Sequence, residues 1–100
     1  MNQAMMMKLK KMQKELKEAQ DKLQNSTFVG KSGGICEVEV KGTREIVKIH
    51  ILEDVFESKD DIPMIEDAIV SAINDAYKQI DAETEKLMGP YASMLGGFGF

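Results

Sequence analysis

The first 29 residues constrain the fold most, because they contain no glycine or proline and consist mainly of strong helix formers. Within them, apolar residues recur at alternating steps of four and three, a repeat typical of a helix packed along another helix. We call these residues the seam: Met5, Leu9, Met12, Leu16, Ala19 and Leu23. The sequence predicts a helix over residues 2–25, about 36 Å long at about 1.5 Å per residue. The seam fits a partner helix in the same chain and one in a second copy equally well.

Short strands are predicted after this helix. Residues 35–41 alternate apolar with mainly charged side chains, which is typical of a strand with one buried face. Residues 46–51 alternate in the same way, with Ile46 and Ile49 predicted on opposite faces. The two runs predict a β-hairpin, to which residues 27–31 add a third strand.

A second long helix is predicted over residues 62–88, where apolar and small residues recur at steps of three and four. Pro63 fits its first turn, and Gly89 with Pro90 stops it. Residues 89–100 contain four glycines and no charge, and they predict a flexible tail. We therefore expect an α+β fold with one domain over residues 1–88, built from a long helix, a three-stranded antiparallel sheet and a second long helix.

Composition excludes several classes of function. A chain of 100 residues buries only about two-thirds of its unfolded surface, and this one has six aromatic residues and no tryptophan, so a partner would help to complete its core. No apolar stretch approaches the ~20 residues of a membrane span, and Lys8 interrupts any secretory signal. One cysteine, Cys36, cannot form an internal disulfide or a multi-cysteine metal site. We expect a reduced, cytoplasmic protein without membrane contact.

Chemistry-bearing motifs are weak. Residues 30–34 are rich in glycine and predict a turn, and Gly30, Lys31 and Ser32 are similar to the end of a phosphate-binding P-loop. Asn25 stands where that motif requires another glycine, and the motif also expects a strand before it and a helix after it. No set of nucleophile, base and orienting group is visible. We expect no enzymatic activity, no cofactor, no metal and no small-molecule substrate.

Charge is distributed unevenly along the chain. The formal net charge is −4, which by itself argues against nucleic acid as a partner. Residues 1–25 nevertheless carry six lysines against three acidic residues, a net +3, so the other 75 residues carry −7. The candidate binding residues are these six lysines: Lys8, Lys10, Lys11, Lys14, Lys17 and Lys22. Lysines on one helix can contact backbone phosphates without reading bases, although the same pattern is typical of an ordinary solvated helix face.

The order of elements and several segments resemble the YbaB/EbfC family of bacterial nucleoid-associated proteins. The matching segments are the Lys/Gln/Glu-rich residues 7–16, the turn 30–34 leading into 38–42, and residues 66–76. The Gly/Leu/Phe-rich ending is also similar, so the resemblance covers nearly the whole chain.

The resemblance implies an α-β-β-β-α protomer in an intertwined homodimer. The protruding helices of this dimer would hold duplex DNA in the nucleoid with little sequence preference. No enzymatic activity or cofactor is implied. Carried over to this sequence, the six lysines of the first helix are the expected DNA-binding residues.

A second class of function uses the other face of the same helix. Two long helices joined by hairpin strands also resemble prefoldin-like architecture. In a structural adaptor or chaperone, the Met/Leu stripe would be the working surface. The salt dependence of binding separates the two hypotheses, because phosphate contacts weaken with added salt.

Overall fold

The computed structural model describes residues 2–91. Its elements are helix α1 (Gln3–Asn25), strands β1 (Thr27–Ser32), β2 (Cys36–Lys41) and β3 (Ile46–Ile51), and helix α2 (Ile62–Met88). The strands form one antiparallel sheet in the order β1-β2-β3, which confirms the expected α-β-β-β-α fold. Residues 92–100, most of the predicted tail, lie outside the described residues.

The core lies between α2 and one face of the sheet. Its buried residues come from β2 and α2: Cys36, Val38, Val40, Ala68, Ala72, Ala76 and Ile80. The alanines give α2 a narrow face, which lets the helix approach the sheet closely. At the closest point, a Cβ on Gly30 would lie 1.9 Å from the Ala72 carbonyl oxygen. Gly30 therefore belongs to strand β1, in line with the strand predicted over residues 27–31, and it permits helix packing, whereas the turn predicted over residues 30–34 begins only at Gly33.

The two edges of the sheet differ. At the β1 edge, the Lys31 backbone N–H donates to the Asp75 carboxylate at 3.0 Å. The Gln79 side chain donates to the Val29 carbonyl at 2.8 Å. Helix α2 lies over β1 and β2, so the β3 edge receives no comparable cover within residues 2–91.

Strand β3 departs from the predicted alternation. Ile49 pairs with Val38, and Ile46 pairs with Val40, which places both isoleucines on the core face of the sheet. A register shift next to Val40 inserts one extra residue into β3. Ile46 and Ile49 therefore lie on the same face of the sheet, whereas the sequence predicted opposite faces. Because α2 does not reach this strand, Ile46 and Ile49 stay 42% and 44% exposed.

Helix α1 is fixed to the rest of the molecule near its C-terminus. A Cβ on Gly42 would lie 1.8 Å from the Leu23 carbonyl oxygen, so the β2–β3 turn sits directly against the helix. The Gly42 N–H also donates to the Ser26 carbonyl at 3.0 Å. The Tyr91 hydroxyl, just beyond α2, donates to Glu15 at 3.3 Å. Helix α1 therefore runs antiparallel to the end of α2 and projects beyond it, in a molecule measuring 70 × 20 × 16 Å.

Candidate nucleic-acid interface

Helix α1 divides into two parts with different surroundings. Residues 3–11 are all exposed, whereas burial begins at half-buried Met12 and is greatest at buried Leu23. We call residues 3–14 the free half and residues 15–25 the packed half. The seam therefore packs within the chain along the packed half and continues along the free half without a described partner.

The free half carries all of the surplus positive charge of α1. It contains Lys8, Lys10, Lys11 and Lys14 and no acidic residue, a net +4. The packed half contains two lysines against three acidic residues, a net −1. Three ion pairs shorter than 4.0 Å occur among residues 2–91, and none involves a lysine of α1.

The start of α1 adds to this positive potential. The Asn2 side chain caps the helix by accepting a hydrogen bond from the Met5 N–H at 2.8 Å. The first turn contains no acidic residue, so no side-chain carboxylate offsets the positive end of the helix dipole. The dipole and the lysines therefore act in the same direction at the projecting end of the molecule.

The six predicted lysines are all exposed, but they do not form one ridge. Lys10, Lys14 and Lys17 lie within an arc of about 60° on the face opposite the seam, at 3.6 residues per turn. Lys8 and Lys22 flank the seam, and Lys11 lies between the two groups. The structure thus brings Lys10 and Lys14 together in the free half and places Lys17 and Lys22 among the acidic residues of the packed half.

Sequence reasoning missed this division of α1, although one signal was readable. Glu15 is the first acidic residue of the chain, and it accepts the hydrogen bond from Tyr91 just beyond the end of α2. The other missing fact was where α2 ends relative to α1, which depends on tertiary packing.

Arg44 is a basic residue that serves packing. Its guanidinium pairs with Asp81 and lies 5.0 Å from the centre of the Tyr77 ring. The Tyr77 hydroxyl donates to the Arg44 carbonyl at 3.2 Å, and Arg44 has a positive φ of 75°. These contacts attach the β2–β3 turn to α2, and the guanidinium is occupied by them.

The lone cysteine and histidine lie apart. Cys36 is fully buried in the core, and burial raises the pKa of its thiol. His50 pairs with Glu37 on the opposite, solvent-facing side of the sheet. The fold therefore does not bring Cys36 and His50 together as a nucleophile and its base.

Other kinds of site are absent from the described part of the chain. Within residues 2–91, no group of three or more histidine, cysteine, aspartate or glutamate side chains is arranged to hold a metal ion. No helix there is both long enough and apolar enough to cross a membrane.

Comparison with known proteins places this geometry in a family. Residues 1–95, a range that includes the projecting helix, match the model of the YbaB/EbfC DNA-binding family. The chain that carries this helix therefore falls in a class of proteins that bind DNA. A nucleoid-associated protein of Agathobacter rectalis is 39% identical over 94 residues, covering 93% of this chain and 82% of the relative. Another from Enterococcus faecalis is 35% identical over 97 residues, covering 96% and 92% of the two chains. The chain belongs to the YbaB/EbfC DNA-binding family.

A solved structure shares the fold. Uncharacterized protein HP0035 from Helicobacter pylori superposes with a TM-score of 0.70 at 25% identity. The superposition covers 91% of this chain and 97% of that one. The arrangement of helices and sheet described above is therefore found in a second protein.

Proposed function

We propose that this protein binds duplex DNA in the cytoplasmic nucleoid through phosphate contacts from the lysines of α1, with little sequence specificity. The observation that carries the proposal is the net charge of +4 on the free half, which contains no acidic residue. This half lies at the projecting end of an otherwise acidic chain. Lysine ammonium groups neutralise phosphates and release counterions, a contribution that does not depend on base sequence.

Within α1 the free half makes most of the contacts in this proposal. Lys10 and Lys14 lie on one face with no acidic residue preceding them in the chain. Lys17 and Lys22 stand beside Glu18 and other carboxylates, which repel phosphate. The acidic remainder of the molecule turns away from the duplex and orients the free half toward it.

We propose further that two copies form a homodimer through the uncovered part of the sheet. Exposed Ile46 and Ile49 lie on the core face of the sheet beyond the reach of α2. A second copy would cover these side chains and complete the core. The dimer would present two free halves, which together carry eight lysines, to one duplex.

Sedimentation with and without duplex DNA, at two salt concentrations, tests both parts of the proposal. We expect a dimer at both salt concentrations, because the contact is apolar, and DNA binding that weakens steeply with salt. Each neutralised phosphate contributes about 0.9 to the slope of log affinity against log salt. A monomer overturns the dimer, and a slope near zero overturns the phosphate contacts.

The exposed methionines of the free half favour a second candidate function. Met5 and Met7 are 54% and 67% exposed, an apolar surface suited to an adaptor or a prefoldin-like chaperone. In that case an unfolded client peptide binds with an affinity that is insensitive to salt, and the lysines are dispensable.

A further inference from the structure

The free half lacks the packing that normally stabilises a short helix. It is the N-terminal part, residues 3–14, of a continuous 23-residue helix, and a helix end without tertiary packing frays. Within residues 2–91 the side chains of residues 3–11 are all exposed, so described tertiary contacts add little there. A DNA-binding helix of this kind needs a further contact to stay rigid.

The seam shows where that contact belongs. Leu16, Ala19 and Leu23 face α2 and become increasingly buried toward Leu23. Half-buried Met12 and then exposed Leu9 and Met5 continue the same line at the same spacing toward the start of α1. The uncovered part of the seam is therefore a direct continuation of an existing interface and lies away from Lys10 and Lys14.

The chain itself leads to this surface. Tyr91, the last described residue, donates a hydrogen bond to Glu15, the first residue of the packed half. Residues 92–100 begin at that point, and they contain Met94, Leu95, Phe98 and Phe100 and no charge. Their composition thus matches an apolar surface that starts beside them.

The lengths also agree. Met5 lies ten residues before Glu15, a distance of about 15 Å along the helix axis. Nine residues of extended chain reach about 30 Å. Residues 92–100 can therefore span the whole uncovered part of the seam, and their covalent connection gives them a high effective concentration there.

We propose that residues 92–100 dock on the seam of the free half in their own chain and hold that half helical for DNA binding. The proposal rests on the proposed function for its purpose but not for the docking itself. Docking covers Met5 and Leu9, which are exposed otherwise, and leaves the lysines on the opposite face free. Truncation after Tyr91 is then expected to lower the affinity for DNA without removing a single charge.

A tryptophan reporter tests the docking without DNA. The chain contains no tryptophan, so Phe98→Trp introduces a single probe into the full-length protein. We expect blue-shifted emission that does not change on dilution, and a loss of that shift when Met5→Gln and Leu9→Gln are added. Glutamine has nearly the helix propensity of the residues it replaces, so α1 is retained. Val70→Gln, at a 59% exposed apolar position of α2, is the matched control and leaves the shift unchanged.

Each alternative gives a different result. Emission typical of water-exposed tryptophan, or a shift that persists in the Met5→Gln/Leu9→Gln variant, overturns the docking. A shift that disappears on dilution assigns the seam to a second copy instead. As a second measurement, hydrogen exchange of residues 3–11 is expected to accelerate on truncation after Tyr91, and an unchanged rate also contradicts the proposal. A further outcome is the expected blue shift in a protein that binds DNA equally well without its α1 lysines. That result would refute the DNA-binding proposal and leave the docking intact.

Discussion

The two halves of α1 have the same secondary structure and almost opposite properties. The packed half is net acidic and lies against α2 and Gly42, whereas the free half is net +4 and is exposed at every residue from 3 to 11. One continuous helix therefore combines a packed half, which attaches it to the rest of the molecule, with a positively charged free half that projects from it. Helical order in the packed half is maintained by packing, so the free half can be specialised for charge.

Charge reversal in the free half is the strongest test of this comparison. The double variant Lys10→Glu/Lys14→Glu is expected to abolish duplex binding in a gel-shift assay at physiological salt. The proposed dimer would lose four phosphate contacts, worth about 3.6 in the log–log salt slope at about 0.9 each. The variant should sediment as the wild type does, and retained affinity in a correctly folded variant would remove these lysines from the interface.

The same change in the packed half provides the matched control. Lys17→Glu/Lys22→Glu alters charge equally and lies on the same helix, but both lysines stand among Glu15, Glu18 and Asp21. We expect only a several-fold loss of affinity, with little change in the salt slope. If the two double variants lose the same affinity, the division of α1 is incorrect.

The attachment of the packed half to the rest of the molecule can be tested at Gly42, in the β2–β3 turn. Gly42→Ala places a Cβ against the Leu23 carbonyl, where only a backbone shift can make room. We expect the free energy of unfolding to fall by about 1–3 kcal/mol in chemical denaturation. Gly34→Ala is the control, because a Cβ there meets nothing within 4 Å, and an equal loss in both variants would show that Gly42 has no special role.

The smallest effect is expected at the junction between the two halves. Partial burial, together with the carboxylates of Glu15 and Glu18, raises the pKa of Tyr91 above its ordinary value of 10.0. Its hydrogen bond to Glu15 is therefore present below pH 10.0 and is lost as the pH rises through the raised pKa. Tyr91→Phe should lower stability slightly at neutral pH, and this difference should shrink above pH 10.0. A difference in melting temperature that is constant across that pH range would contradict the role given to the hydroxyl.

The periodic parts of the chain could be read from sequence, and the positions set by packing could not. Steps of four and three predicted α1, and alternation predicted β2, because both patterns express one buried face. Ile46 was placed on the wrong face because a bulge shifts the register without changing composition. Gly30 was placed both in the predicted strand 27–31 and in the predicted turn 30–34, and the sequence could not decide between them because its actual requirement, close approach of Ala72, comes from a helix 42 residues away in sequence.

The candidate site shows the same limit. The six lysines and their surplus charge were visible in the sequence, but their separation into two groups was not predicted. That separation depends on where α2 and Tyr91 stop along α1, which is a property of the folded packing.

The covered β1 edge also limits how many copies of the chain the sheet can join. Asp75 and Gln79 occupy backbone groups of β1 that a foreign strand would otherwise use, so the sheet has one receptive edge instead of two. A sheet with a single receptive edge can add one neighbour and then terminates, whereas one with two can polymerise without limit. Association of copies through the β3 edge would therefore stop at two chains and would not grow into a fibre.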